Sequence, residues 1–204
     1  AGSSSGGHES GDAAEGLGGV GGSGNSGQAT VRFCGVEGKG FRFIFVIDRS
    51  LSMGDSGEPA LRVAKSELMA AIEALDEIHQ FQIVFFNETP SVFNAAGAGR
   101  LTWADDQNKE IAKRFVMGIA ADGGTERLPA LLKAIALRGD VIYFLTDSGE
   151  PPMSTAELAQ IRRLAPSSIN AIEFGRGPAP AGDNFLKRIA RENNGQYNYV
   201  DVSM

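Results

Sequence analysis

Residues 41–53 read "FRFIFVIDRSLSM". A run of large apolar residues stops at Asp48, and the hydroxyls of Ser50 and Ser52 follow at once. A half-buried strand would alternate apolar with polar residues. An almost unbroken apolar run instead marks a strand covered on both faces, as in a parallel sheet whose connecting helices lie on each side. In open α/β sheets ligands bind beyond the carboxyl ends of the strands. Oxygen-bearing side chains at the tip of such a strand are therefore the first place to look for a site.

The surrounding sequence repeats the pattern. Upstream, "TVRFCGV" reads as a short strand followed by a Gly-Lys-Gly turn at 38–40. Downstream, Leu61, Ala64, Leu68, Ile72 and Leu75 recur at helical spacing. "FQIVFFN" is the next strand, and "SVF" at 91–93 a weak one suited to an edge. Ile111, Phe115 and Ile119 mark a helix near 104–119, and "RLPALLKAIAL" another, with Gly139 where a helix terminus favours glycine. "VIYFLTD" is again apolar until its last two residues. Ser154 and Glu157 have the spacing of a capping box, opening a helix that Pro166 closes. "INAIEFG", "DNFLKRIAREN" and "QYNYVDV" then read as strand, helix ended by Gly195, and strand. The expected fold is a Rossmann-like, open, mostly parallel twisted sheet of about six strands with one antiparallel edge and helices on both faces.

Residues 1–30 hold eleven Gly and six Ser, with Leu17 and Val20 their only large apolar residues. So little apolar surface cannot offset the entropy of ordering, so 1–30 is expected to be a disordered linker and 31–204 the domain. The start at Ala1 and the linker together lead us to expect a further segment upstream, and a domain tethered outside the cytoplasm or to a cell envelope. The net charge of −6 disfavours nucleic acid and anionic membrane as partners, and no apolar stretch is long enough to span a bilayer. One cysteine, Cys34, allows no internal disulfide and reads as a small buried residue of a strand. Of the two histidines, His8 lies in the Gly/Ser segment and His79 is expected at the surface after a helix. Neither is placed to serve as the base of a Ser-His or Cys-His mechanism, and an enzyme is not expected.

If the fold is as expected, Asp48, Ser50 and Ser52 share one rim with Asp147, at the end of "VIYFLTD", and with Thr125 in "ADGGTE". All five are hard oxygen donors, which suits Mg²⁺, Mn²⁺ or Ca²⁺ and disfavours zinc and copper. Hydroxyls are neutral, so a cation held by Ser50, Ser52 and Thr125 keeps most of its charge for an acidic visitor. Taken singly, Asp48 and Asp147 suit turns, the serines suit turns or caps, and Thr125 suits the N-cap of the next helix.

The combination "DRSLS" at 48–52, "GGT" at 123–125 and "LTD" at 145–147 resembles the metal-ion-dependent adhesion site of von Willebrand factor type A domains. "FRFIFVIDRSLSM", "DGGTERLPALLKAI" and "INAIEFGRG" followed by "FLKRIARENNGQY" are similar to the bacterial branch of that family, and the resemblance runs over about residues 31–204. It implies a Mg²⁺ site, with Mn²⁺ or Ca²⁺ as substitutes. Ser50 and Ser52 would be direct ligands, and Asp48 would act through water and hydrogen bonds to the serines. Thr125 would ligate directly or through water, Asp147 would complete the ring, and a partner protein's Glu or Asp would take the open position. Leu51 and Ser148 stand where members very often carry Gly.

Competing readings make Asp48 the nucleophile of a Mg²⁺-dependent phosphoryl-transfer hydrolase, or the domain a scaffold that has lost its ion. The hydrolase reading lacks its usual second Asp, because that position is Ser50. A nucleotide-binding domain lacks any glycine-rich phosphate cradle after the first buried strand. Phe93 and Trp103 are expected to close a local core, with a partner anchor as the alternative, Arg49 to pair with a nearby carboxylate or hold a neighbouring loop, and Lys187, Arg188 and Arg191 to form a solvated helix face.

Overall fold

The computed structural model describes residues 27–54, 59–95, 97, 99–147, 149 and 151–203. Most of the expected linker lies outside that range. The first strand, β1 (Ala29–Phe33), starts inside the span assigned to the linker and pairs antiparallel with β2 (Val36–Gly40). The turn between them is Cys34-Gly35, with φ of 47° and 83°. Positive φ at both central residues is the hairpin turn whose twist matches the strands it joins. This corrects two expectations. Gly38–Gly40 belongs to a strand, and Cys34, although buried, is a turn residue. Gly38 and Gly40 lack side chains for a steric reason. A Cβ at Gly38 would meet Val141 Cγ1 at 2.6 Å, and one at Gly40 would meet Asp140 Cβ at 2.7 Å.

The main sheet is built on β3 (Arg42–Asp48), flanked in parallel by β4 (Gln80–Phe86) and β7 (Val141–Asp147). β8 (Ser168–Gly175) and β9 (Tyr197–Asp201) extend the parallel run beyond β7. Two short strands, β5 (Pro90–Val92) and β6 (Thr102–Trp103), both pair antiparallel with the outermost parallel strand β4. The edge strand at "SVF" is as expected. β6 was missed, being two residues long and held only by pairing with Gln80 and Phe81.

Each central strand supplies both cores. Phe43, Phe45, Ile47, Phe81, Ile83, Phe85, Tyr143 and Leu145 face α1 (Pro59–Glu73), α2 (Asp106–Met117) and the β1–β2 hairpin. Ile44, Val46, Val84, Phe86, Ile142 and Phe144 face α3 (Arg127–Ala136), α4 (Thr155–Leu164) and α5 (Phe185–Glu192). Each such side chain taken from water contributes about 1.5–3 kcal/mol, so covering both faces is what fixes the stack of layers. The hairpin closes its face with Phe33, whose ring lies 5.3 Å from Phe45 and 5.5 Å from Tyr143, while the Tyr143 hydroxyl donates to Val31 O.

Other local expectations divide in the same way. The capping box at Ser154 and Glu157 forms in both directions. Phe93 is buried, whereas Trp103 is exposed on the β4 edge. His79 is a correction: it is buried, and its Nδ1 accepts from Asp76 N at 3.1 Å while Nε2 donates to Gly27 O at 2.9 Å. The ring lies between the chain entry and the start of β4, beside Phe41 and Phe43. Gly139 does not take the left-handed position after α3, which falls to Arg138 at φ 54°. It is instead a point of close approach, where a Cβ would stand 2.7 Å from Ile44 Cδ1. Gly195 likewise lies against backbone, and a Cβ there would fall 1.8 Å from Ile169 O.

Candidate metal-ion and partner site

The strand order β5-β4-β3-β7-β8-β9 places successive connections on opposite sides of β3. The loops leaving β3 and β7 therefore diverge and open a crevice at their carboxyl ends, where Asp48 and Asp147 stand.

Asp48 is fully buried, and both of its oxygens are engaged. Oδ1 accepts the backbone N–H of Ser50 at 2.7 Å, and Oδ2 accepts the hydroxyl of Thr146 at 2.5 Å. The first bond bends the chain into a single 3-10 turn at Leu51–Met53, which Met53 anchors in the core. Ser50 precedes that turn but does not cap it with its side chain. Its Oγ lies 3.1 Å from Ser52 Oγ, within hydrogen-bond reach, so the buried Ser50 links Asp48 to the exposed Ser52 that lines the cleft.

The loop carrying Thr125 is fastened to this turn through backbone. Leu51 N donates to Gly123 O at 3.0 Å, and Asp122 N donates to Arg49 O at 2.9 Å. From the far side Asn87 Nδ2 donates to Asp122 O at 3.0 Å and Glu126 N donates to Asn87 O at 2.7 Å. Thr125 is not the cap of α3; that position is Glu126, which makes no side-chain cap bond. Of the two roles open to Arg49, the structure shows the second: it holds the same loop, with Nη1 donating to Ala120 O at 3.2 Å.

Asp147 is only partly buried and shares a cleft with Ser52. Its Oδ1 accepts Gly149 N–H at 3.2 Å and stands 3.7 Å from Nη2 of the buried Arg127. Arg127 also donates to the carbonyls of Gly149 at 2.9 Å and Pro151 at 3.0 Å, and through Nε to Thr146 Oγ1 at 3.4 Å. Its guanidinium carbon lies 5.2 Å from the centre of the Phe185 ring. One arginine thus ties the α3 start, the β7 end and the loop after it into one unit beneath Asp48.

The structure therefore joins Asp48, Ser50 and Ser52 by direct contacts, sets Asp147 in a cleft with Ser52, and brings the Thr125 loop alongside. No side-chain hydrogen bond links Thr125 to the other four among the described residues. Sequence reasoning missed the supporting shell of Thr146, Arg127 and Asn87. Thr146 lies inside "LTD" and Arg127 directly follows "TE", so the same segments already contained them.

Burial drives the Asp48 carboxyl above its ordinary range; the bonds from Ser50 and Thr146 pull it back, and the nearby Asp147 charge adds to the rise. A positive charge at the mouth would reverse that balance. Among the described residues no group of three or more His, Cys, Asp or Glu side chains is placed to hold a metal. Adjacent ligands of an octahedral Mg²⁺ at about 2.1 Å lie about 3.0 Å apart. The serine oxygens, 3.1 Å apart in a mutual hydrogen bond, are no farther apart than two such ligands would be.

No family model matches the chain. By sequence it is similar to inter-alpha-trypsin inhibitor heavy chain H4 of Bos taurus, 29% identical over 74% of this chain. It spans only 18% of that relative's length. By structure it is similar to a von Willebrand factor type A protein from Catenulispora acidiphila, with TM-score 0.68, 24% identity, and coverage of 81% of this chain and 40% of that one. BatB from Bacteroides thetaiotaomicron aligns with TM-score 0.60 and 20% identity over 80% of this chain and 92% of that one. Proximal thread matrix protein 1 from the mussel byssus, solved with a zinc-occupied MIDAS motif, aligns with TM-score 0.58 and 16% identity over 78% and 43%. The molecule has the mostly parallel α/β fold shared with von Willebrand factor type A domains.

Proposed function

We propose that this domain is a non-enzymatic, cation-dependent protein-interaction module. Ser50, Ser52 and Thr125 would hold Mg²⁺ by hydroxyl oxygens, with Asp48 and Asp147 acting largely through water. Mn²⁺ or Ca²⁺ would substitute. When bound, the ion supplies positive charge that neutral hydroxyls leave unquenched, and the open position accepts a Glu or Asp of a partner protein. The observation that carries the reading is the pair of serine oxygens 3.1 Å apart over a buried carboxylate.

The hydrolase alternative fares worse. Both oxygens of Asp48 are already committed and the residue is fully buried, which suits a support better than a nucleophile. The expected setting, a tethered domain outside the cytoplasm, stays part of this proposal.

Calorimetric titration with Mg²⁺, Mn²⁺ and Ca²⁺ tests it, together with thermal unfolding. A ligand present at 100 times its Kd adds about 2.7 kcal/mol, which in a domain of this size raises Tm by roughly 5–11 °C. Ser50→Ala should lose most of that increment. The proposal fails if none of the three ions gives heat or stabilisation.

A further inference from the structure

The layer of α3, α4 and α5 carries a charged groove away from the crevice. β7, β8 and β9 are parallel, so α4 and α5, which join them, both run back along the sheet and lie side by side. The groove between them is lined by Thr155, Ala159, Arg162, Arg163, Arg188 and Glu192. Arg162 and Arg163 are exposed, and neither has a hydrogen-bond or ion-pair partner among the described residues. Arg188 uses only Nε, which donates to Glu192 Oε1 at 3.2 Å, so its two Nη groups remain uncommitted.

The acids on this face do not cancel the three guanidinium groups. Glu192 is the one acid that lines the groove. Asp183, ahead of α5, is held by both Nη groups of Arg191 at 2.8 and 3.1 Å. Glu157 closes the capping box with Ser154 at the other end of α4 from Arg162 and Arg163. On the α3 side Lys133 and Arg138 are exposed and also lack a partner among the described residues. The surplus on this face is therefore cationic, in a chain whose net charge is −6. A helix terminus favours cations in its last turn, which accounts for an arginine at the end of α4 but not for Arg188 inside α5 on the same groove.

We propose that the α4–α5 groove binds an acidic segment of a partner protein, whose Asp or Glu side chains are taken by Arg162, Arg163 and Arg188. A guanidinium fork takes a carboxylate through two parallel hydrogen bonds. Ala159 has too short a side chain to fill the groove, and Thr155 adds a hydroxyl donor along it. The ten residues of α4 make a groove about 15 Å long, the span of roughly five residues of extended chain. A short segment with a few acids suits this face better than nucleic acid or an anionic membrane, whose many charges would also meet the negative remainder of the molecule. The groove needs no metal ion, so the inference stands apart from the cation reading.

The test titrates the whole chain into a fluorescent octaglutamate peptide and reads anisotropy. EDTA keeps any cation site silent, and about 0.1 M NaCl confines charge effects to about 10 Å. Wild type should bind, and Arg162→Glu/Arg163→Glu should weaken binding by roughly tenfold or more, the scale of two exposed ion pairs lost and reversed. Arg162→Lys/Arg163→Lys keeps the charge without the fork and should fall between the two. Arg62→Glu/Arg100→Glu changes two exposed arginines outside the groove and shifts the net charge equally, and should stay within about twofold of wild type. Circular dichroism checks that each variant is folded. The inference is overturned if wild type does not bind the peptide, or if the two glutamate double variants lose affinity alike. It is also overturned if oligothymidylate or phosphatidylserine vesicles bind more tightly than the peptide, which would give the face to nucleic acid or to a membrane.

Discussion

Replacing Thr146 by valine removes one buried hydroxyl and leaves the side chain's shape almost unchanged. In the native protein that hydroxyl donates to Asp48 Oδ2 at 2.5 Å and accepts from Arg127 Nε at 3.4 Å. Asp48 and Thr146 are fully buried, so neither Asp48 nor the arginine proton finds water in its place. A hydrogen bond to a charged group contributes about 1.5–3 kcal/mol, and a buried partner left without one costs on that scale. For a domain of this size the loss lowers Tm by roughly 3–12 °C. Urea unfolding followed by far-ultraviolet circular dichroism, in EDTA at pH 7.5, reads the change free of any cation. The slope against urea should stay the same, because the same surface is exposed on unfolding. Thr146→Ser keeps the hydroxyl and should recover most of the loss. The reasoning is refuted if Thr146→Val lies within about 0.5 kcal/mol of wild type, the range of an uninvolved surface change. It is equally refuted if serine is as damaging as valine.

Other outcomes follow from single contacts. Gly139→Ala puts a methyl 2.7 Å from Ile44 Cδ1 and 2.9 Å from its Cγ1, and should cost about 1–3 kcal/mol in denaturant unfolding, relieved only in part when Ile44 is shortened to valine, which keeps the γ carbon. Asp140 is partly buried, which alone would raise its pKa. The Arg42 guanidinium and the N–H groups of Phe41 and Arg42 outweigh that and hold the carboxyl below its ordinary range. Because the folded pKa is the lower one, this contact stabilises the fold above about pH 4 and is lost as pH falls further. Asp140→Asn should therefore be less stable than wild type at pH 7 and approach it below pH 3, as measured by chemical unfolding at each pH. Burial first, and then the Glu67 charge, push the Cys34 thiol far above its ordinary range. A thiol reagent at pH 8 should leave Cys34 unmodified in the native protein and label it promptly in urea.

The parallel core was legible because its strands are apolar on both faces, and the two runs ending in Asp48 and Asp147 already implied a rim. Arg138 and Asn194 hid two helix ends, since each takes the left-handed conformation that the neighbouring Gly139 and Gly195 were expected to supply. Those glycines answer a different demand: space against Ile44 and Ile169, contacts that exist only after folding. His79 was misplaced for the same reason, because its partner Gly27 O comes from 52 residues away. Asp48 and Asp147 stand out because each is the acidic end of an apolar strand. Thr146 and Arg127 do not, since a buried threonine and a helix-start arginine reveal their role only through each other.

His79 also marks where the chain comes in. Gly27 is held beside Phe41 and the first residue of β4, at the floor of the sheet, whereas Asp48 and Asp147 stand at its roof. Seven residues of β3 separate the two levels, a rise of roughly 20 Å. Gly27 and the crevice thus lie at opposite poles of the sheet. The other end of the described chain behaves oppositely, because Val202 lines the cleft itself.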